Sequence, residues 1–319
     1  MTVVTRSAGL VFSVVTALAV AVPSVAGAVT PTLVGPAQTT RHAATGYAEA
    51  HPDVAPAGSN NFGCKSSAAH PRPVLLAHGT DTQAYADWAA VAPALAADGY
   101  CVFALNYGKD PEKDTYGVGD IVSSASEFST FVDQVRSATG ADRVDVVGYS
   151  QGATVTRYYI NKLGGSLFVD QWIGLASPTY GGVMFGLVPI IRAIPGGDEF
   201  VEDTFSVAVR EQMEGSDLLR SLNDGGDTVP GVRYTTIGSR VDEMIQPSSN
   251  IALQGPGAEN IVLQDLCPQN LTGHFRMPYD PYVIDIIRTS LDPNAERHAS
   301  CTAVPLGADI PQVVIDANS

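Results

Sequence analysis

Short apolar runs alternate with segments of helical periodicity over most of the chain. Six runs centre on apolar residues and are bounded by glycine, proline or polar residues: Pro73–Gly79, Tyr100–Asn106, Arg143–Gly148, Gln171–Pro178, Val232–Gly238 and Glu259–Asp265. Apolar positions recur at helical spacing in four segments: Asp87–Gly99, Asp120–Gly140, Gln151–Leu163 and Asp280–Leu291. Short continuous apolar runs are typical of strands buried on both faces. The alternation therefore predicts an α/β fold, with a mostly parallel central sheet covered by helices on both faces.

Residues 1–71 do not follow this pattern. Arg6 is the one charge before an apolar run that ends at Val22, and Ala26-Gly27-Ala28 forms a small-residue cleavage site. These features are typical of a secretory signal peptide over residues 1–28, with an uncleaved anchor as the alternative. Residues 29–71 are rich in Ala, Pro, Gly and Thr. We expect an extended N-terminal arm there, packed on the surface or partly disordered, beside one large domain over residues 72–319.

The charge balance narrows the range of partners. The chain has 18 basic and 33 acidic residues, a formal net charge of −15. A surface this acidic is repelled by nucleic acid and by anionic membranes. We therefore expect no nucleic-acid partner, and nothing in the sequence indicates a stable protein partner.

Four cysteines, at positions 64, 101, 267 and 301, lie in a chain with an export signal. An even number of cysteines in an oxidising compartment predicts two disulfides, and the absence of C-x-x-C spacing argues against a zinc site. Three pairings are open. We favour Cys64–Cys101 with Cys267–Cys301, because each closes a moderate loop at one end of the domain.

Ser150 lies between two glycines in Gly-Tyr-Ser-Gln-Gly, where a predicted strand meets a predicted helix. A strand that turns abruptly into a helix brings neighbouring elements close together, and Gly148 and Gly152 have no Cβ to clash there. The Ser150 hydroxyl would project from the sheet beside a helix N-terminus, where the backbone N–H of Gln151 can bind a developing negative charge. The motif predicts a nucleophile; a structural turn is the alternative.

A serine nucleophile needs a base, and on this type of sheet the chain order is Ser, then Asp or Glu, then His. Only His274 and His298 follow Ser150. His298 lies beyond the last predicted helix and is expected at the surface. His274 lies in a loop before that helix and is the predicted base.

Three aspartates between Ser150 and His274 were considered for the acid. Asp242 stands a few residues beyond a predicted strand, where its carboxylate can reach the back of an imidazole. Asp265, at the end of the next strand, is the second choice, and Asp227 lies in a glycine-rich turn.

The second oxyanion donor is expected in the loop after the first long strand, in the sequence "AHGTDTQ". Gly79 permits a tight turn, so the N–H of Thr80, with its hydroxyl as a further possibility, can face the site. His78 precedes the acid in chain order and is interpreted as a structural residue of this loop.

Four segments carry a family resemblance: "LLAHGT", "VVGYSQGA", "TTIGSRVDEMIQP" and "GHFRMPYDP". The chain resembles secreted bacterial, chiefly actinobacterial, triacylglycerol lipases and esterases of the α/β-hydrolase fold. Its motifs are also similar to those of fungal lipases of the lipase B type. The resemblance extends from about Cys64 to Cys301. It implies a catalytic triad of Ser150, Asp242 and His274, with Thr80 and Gln151 as oxyanion donors.

The segment Tyr180–Gly197 is apolar except for Arg192 and is bounded by pairs of glycines. It follows a predicted strand at the carboxyl edge of the sheet, so it is a candidate acyl-binding wall or mobile lid; an ordinary buried helix pair is the alternative. The candidate substrate-binding residues are Met184, Phe185, Leu187, Ile190 and Ile191.

The sequence therefore predicts a secreted ester hydrolase that acts on lipids, with no metal or organic cofactor. Its substrate is an ester or lipid, which it could meet at a lipid–water interface. A short-chain esterase or a polyester hydrolase would use the same residues. A catalytically silent binding protein on the same fold is the alternative from a different class.

Overall fold

The computed structural model describes residues 30–110 and 115–316. The predicted signal peptide, residues 1–28, lies outside this part of the chain. The strands are β1 (Leu33–Val34), β2 (Val54–Ala55), β3 (Val74–Ala77), β4 (Val102–Leu105), β5 (Val144–Tyr149), β6 (Val169–Leu175), β7 (Arg233–Gly238) and β8 (Glu259–Val262).

Short and long helices connect the strands. They are α1 (Arg41–Ala50), α2 (Ala84–Trp88), α3 (Val91–Ala97), α4 (Ile121–Thr139), α5 (Gln151–Lys162), α6 (Val188–Arg192), α7 (Gly197–Thr204), α8 (Val207–Glu211), α9 (Asp217–Asn223), α10 (Leu263–Leu266), α11 (Pro281–Leu291) and α12 (Ile310–Asp316). Over residues 30–110 and 115–316, no helix has the length and apolar character needed to cross a membrane.

Six parallel strands form the central sheet in the order β4-β3-β5-β6-β7-β8, and β1 pairs with β2 separately. The chain adds β4 on one side of β3 and then returns to place β5 on the other side. In open parallel sheets, the crevice at such a reversal, outside the carboxyl ends of the strands, is where ligands bind. The loop after β3 and the turn after β5 therefore meet at this crevice.

The two faces of the sheet pack against different helices. On one face the buried core includes residues of α2, α3 and α11, and on the other it includes residues of α4 and α5. Asp120 caps α4 by accepting the backbone N–H of Ser123 at 2.7 Å, and Gly140 ends the helix at φ 76°. A parallel sheet buried on both faces confirms the predicted α/β class.

The structure corrects the prediction in three places. Pro93 has no N–H and cannot continue a helix from the preceding residues, so the single predicted helix Asp87–Gly99 is replaced by α2 and α3. The run Glu259–Asp265 ends as a strand at Val262 and continues as α10. The expectation of an extended arm is wrong for residues 41–50, which form the ten-residue helix α1.

Helix α1 packs on the main domain through small residues. Thr40 caps it by accepting the N–H of Ala43, and Ala44 and Ala48 are buried in a cluster that includes Tyr85 of α2. Ala44 and Ala48 stand four residues apart and therefore lie on one face of the helix.

Both disulfides of the favoured pairing are present, Cys64–Cys101 and Cys267–Cys301. The first links the segment before β3 to the start of β4. The second ties the chain after α11 to the loop before His274. Each constrains the unfolded chain and so stabilises one end of the domain, by roughly 3–4 kcal/mol on a chain-entropy model.

Candidate active site

Ser150 lies at the tip of the turn between β5 and α5. Its backbone has φ 51° and ψ −120°, and non-glycine residues rarely adopt a positive φ. A Cβ on Gly152 would lie 2.1 Å from the carbonyl oxygen of Ala77, and one on Gly148 would lie 2.6 Å from the backbone of Ala153. The close approach of α5 to the strands therefore requires glycine at both positions, as the motif predicted.

His274 connects Ser150 to Asp242 through two hydrogen bonds. Nε2 of the imidazole lies 3.0 Å from Oγ of Ser150, and Nδ1 lies 2.9 Å from Oδ2 of Asp242. The other oxygen of Asp242 accepts the backbone N–H groups of Met244 and Ile245 at 2.9 and 2.7 Å. Because a carboxylate can only accept, Nδ1 carries the proton and Nε2 is left as the acceptor for the serine hydroxyl.

The other residues considered for these roles lie elsewhere. Asp265 forms an ion pair with Arg240 at the surface. Asp227 is buried and accepts the hydroxyl of Tyr180 at 2.7 Å. The side chain of His298 is exposed. Of the three candidate acids, the structure brings only Asp242 to the imidazole.

The backbone of His274 is held on both sides by chain neighbours of Ser150 and Asp242. Glu243 accepts the N–H of His274 at 2.8 Å. Tyr149 donates its hydroxyl to the carbonyl oxygen of His274 at 2.9 Å. Burial raises the pKa of Tyr149 well above its usual value, so the hydroxyl keeps its proton and remains a donor. We call Tyr149 and Glu243 the histidine clamp.

Thr80 and Gln151 meet beside Ser150. In the part of the chain that the structure describes, neither of their backbone N–H groups donates to a protein acceptor. The hydroxyl of Thr80 donates to Oε1 of Gln151 at 2.7 Å, and Nε2 of Gln212 donates to the same oxygen at 3.1 Å. A hydroxyl has one proton, and that of Thr80 is already donated, so the two backbone N–H groups are the expected oxyanion donors here.

The loop after β3, which carries Thr80, is supported by a buried charge pair. The N–H of Gly79 donates to Oδ2 of Asp87 at 2.8 Å, and Arg41 of α1 donates to Oδ1 at 2.7 Å. Asp87 is fully buried, so without Arg41 its charge would be left uncompensated. The N-terminal helix therefore stabilises the loop that carries an expected oxyanion donor.

His78 has a structural environment, as the sequence predicted. Burial lowers its pKa to about 4, so the ring is neutral near pH 7. Nε2 accepts the N–H of Tyr107 at 3.3 Å, which leaves the proton on Nδ1 for the carbonyl oxygen of Gly79 at 2.8 Å. These bonds fix the turn that precedes Thr80.

The candidate substrate-binding residues lie in what we call the cap segment, residues 180–216. Phe185, Leu187 and Ile190 are 57%, 47% and 64% exposed and face solvent instead of enclosing a pocket. Met184 and Ile191 are half-buried and pack on a small buried cluster that also includes Ile245 and Ile251. The cap segment reaches the site through Gln212, which bonds to both Thr80 and Gln151.

Sequence reasoning assigned no role to the histidine clamp, to Gln212 or to the Arg41–Asp87 pair. The clamp could have been found from the sequence, because Tyr149 directly precedes Ser150 and Glu243 directly follows Asp242. Gln212 and Arg41 lie far along the chain from their partners, and nothing local marks them.

The strand order and the serine on the turn after a central strand define the class of this protein. Both are features of the α/β-hydrolase fold, in which the nucleophile stands at that turn and the oxyanion loop follows an earlier strand. The family follows from the sequence as a whole: the chain belongs to the class 2 lipases, whose family model matches residues 71–281.

Solved structures agree on the fold. The chain is similar to Aspergillus fumigatus lipase B, with a TM-score of 0.55 and 20% identity over 76% of this chain and 56% of that one. It is also similar to Bacillus licheniformis lipase BlEst2 in its propeptide form, with a TM-score of 0.54 and 14% identity over 78% of this chain and 54% of that one. The matches therefore span little more than half of those two proteins. Against the mature form of BlEst2, the TM-score is 0.51 at 17% identity, over 69% and 91% of the two chains.

A comparison with curated proteins found no match.

Proposed function

We propose that this protein is a secreted triacylglycerol lipase that works through an acyl-enzyme on Ser150. The observation that carries the proposal is the hydrogen-bonded chain from Ser150 through His274 to Asp242, with its 3.0 and 2.9 Å distances. Nε2 of His274 accepts the serine proton as Oγ attacks the ester carbonyl. Asp242 stabilises the imidazolium that forms.

The remaining steps use the same groups. The N–H groups of Thr80 and Gln151 bind the tetrahedral oxyanion. His274 then returns its proton to the departing alkoxide, which leaves as the alcohol and gives the acyl-enzyme. A water molecule, deprotonated by His274, attacks the acyl carbonyl in turn and releases the fatty acid and free Ser150.

The exposed apolar side chains of the cap segment support a lipid substrate. Besides the three candidate residues, Ile194 and Phe200 are 60% and 61% exposed. These five side chains belong to one short stretch of the chain, and large exposed apolar patches on soluble proteins mark interaction sites. In this proposal the surface contacts a lipid aggregate and guides acyl chains toward Ser150.

A rate profile over acyl chain length, measured on dissolved and on emulsified esters, tests the substrate class. We expect the rate to rise when a long-chain triacylglycerol aggregates, and Ile190→Ser to lower the ratio of emulsion activity to soluble activity several-fold. The matched control is Leu167→Ser, because Leu167 is 73% exposed outside the cap segment and should leave this ratio unchanged. Activity on short soluble esters alone, with the same ratio in both variants, would instead favour an esterase.

The histidine clamp gives a second expected result. Tyr149→Phe removes only the hydroxyl that bonds to the carbonyl oxygen of His274, so kcat should fall about five- to tenfold with KM nearly constant, since one hydrogen bond is worth about 1 kcal/mol. The control is Tyr234→Phe, which deletes a hydroxyl bonded to Asn161 at 2.6 Å, away from His274. Both variants should lose thermal stability. An equal effect of the two on kcat would show that the clamp has no specific role.

Secretion is part of the same proposal, with residues 1–28 as the cleaved signal peptide and residues 29–71 as an arm on the catalytic domain, residues 72–319. Two disulfides, a surplus of acidic residues and the apolar N-terminal run support it. N-terminal sequencing of exported protein should therefore begin at Val29.

A further inference from the structure

A recess of about 630 Å³ lies beside the candidate active site. It is formed by helix α1 and the turn after it, the loop after β3, Tyr116 and Phe275. Two lining residues connect it with the proposed chemistry: Thr80 carries an expected oxyanion donor, and Phe275 directly follows His274. A group bound there would be close to both the oxyanion loop and the histidine loop. Its volume is typical of a site for a small molecule.

The lining of the recess is rich in hydrogen-bonding groups. Helix α1 contributes Arg41, Thr45 and Glu49, and the loop after β3 contributes residues 80–83. Oε1 of Gln83 is buried and accepts no hydrogen bond from the described residues. The side chains that line the recess can hydrogen-bond to ligand hydroxyl groups, and leaving them against an apolar group costs affinity.

Several of these groups are held in place before any ligand binds. Arg41 is fixed by its bond to Asp87 at 2.7 Å, and Asp53 accepts the hydroxyl of Tyr116 at 2.6 Å. Asp53 and Asp81, both in the lining, have φ values of 60° and 51°. Positive φ at non-glycine residues persists where the surrounding structure holds it, and such residues cluster at functional sites.

The proposed reaction fixes which part of the ester lies on this side. The alcohol must leave next to His274, which returns the proton to it, and Phe275 is the neighbour of His274 in the recess. Of the described residues that line the recess, none belongs to the cap segment, which reaches Thr80 and Gln151 through Gln212. The acyl chain thus has the exposed apolar side chains of the cap segment, and the alcohol has a recess lined in part by hydrogen-bonding side chains.

We propose that the recess binds the alcohol part of the substrate and selects a polyhydroxylated alcohol of about the size of a sugar ring. This inference rests on the proposed function, because the position of the alcohol is deduced from the proton that His274 donates to it. A site built to hydrogen-bond hydroxyl groups rejects an analogue that lacks them, since its own polar groups are then left unpaired. An apolar alcohol of equal size should therefore be a poor leaving group in this enzyme.

Three butanoate esters test the proposal: 6-O-butanoylglucose, cyclohexylmethyl butanoate and ethyl butanoate. All three esters give the same acyl-enzyme. Differences in kcat/KM among them therefore report substrate binding and the acylation step, in which the alcohol leaves. We expect kcat/KM for the sugar ester to exceed that for the cyclohexylmethyl ester, its apolar counterpart of similar size, by about tenfold or more, as hydrogen bonds to charged groups allow.

Substitutions of residues that line the recess test whether the preference for the sugar ester arises there. Glu49→Leu and Gln83→Leu should each reduce the sugar-to-cyclohexylmethyl ratio about five- to tenfold. The control Glu296→Leu, at an exposed position outside the recess, should leave it unchanged. Two results would overturn the role of the recess and leave the proposed function intact. In the first, all three esters are hydrolysed but the sugar-to-cyclohexylmethyl ratio is one or less. In the second, neither lining variant changes this ratio. Failure to hydrolyse any ester would contradict the proposed function and this inference together.

Discussion

Ser150→Ala should fold normally and hydrolyse esters at least about 10⁴-fold more slowly than the unchanged protein. The substitution removes one oxygen atom at a half-exposed position, and the strained turn is held by the bond from the N–H of Ser150 to Leu175 and by the flanking glycines, which remain. Activity is lost because the variant lacks the hydroxyl that lies 3.0 Å from Nε2 of His274. The measurements are kcat on a soluble ester and the free energy of unfolding by denaturant.

The outcome separates an enzyme from a silent binding protein on the same fold. A folded variant with near-native turnover would remove Ser150 from the mechanism. Equal and negligible activity in both proteins would support the silent alternative.

Asp242→Asn should have an effect of similar size, about 10⁴-fold in kcat. Met244 and Ile245 donate their N–H groups to Oδ1 of Asp242, so an asparagine oxygen would stay with them and its amide nitrogen would face His274. The amide donates where the carboxylate accepted. The imidazole proton would therefore move to Nε2, which could no longer accept the proton of Ser150.

Asp265→Asn is the matched control for this substitution. Asp265 was the second choice for the acid, and it lies at the surface, paired with Arg240. An exposed pair of this kind contributes little, so both kcat and stability should be nearly unchanged. If Asp265→Asn lost most of its kcat and Asp242→Asn stayed active, the acid of the triad would be Asp265 instead of Asp242.

The features that the sequence predicted correctly depend on the steric demands of single turns and on the common direction of the parallel strands. Gly148 and Gly152 follow from the steric demands of one turn, and the position of that turn follows from apolar runs on either side of it. Chain order and position favour His274, because parallel strands bring their carboxyl ends to one edge whatever the intervening length. Chain order left three aspartates open for the acid, and the family resemblance strengthened the choice of Asp242.

The rest depends on contacts that no local pattern records. Tyr149 and His274 are 125 residues apart along the chain, and Arg41 and Asp87 are 46 apart. The apolar composition of Tyr180–Gly197 predicted a wall or lid, with a buried helix pair as the alternative, but composition does not determine which side chains face solvent. Helix α1 is an exception, because its buried residues Ala44 and Ala48 do stand at helical spacing in a segment interpreted as an arm.

The central claim is that the substrate acyl group is carried by the oxygen of Ser150. A fluorophosphonate binds covalently to an activated serine, and mass spectrometry of the digested adduct identifies the modified residue. We expect a single adduct, on the peptide that contains Gly148–Gly152, located at Ser150. An adduct on another residue of the native protein, or no adduct at all, would contradict the account.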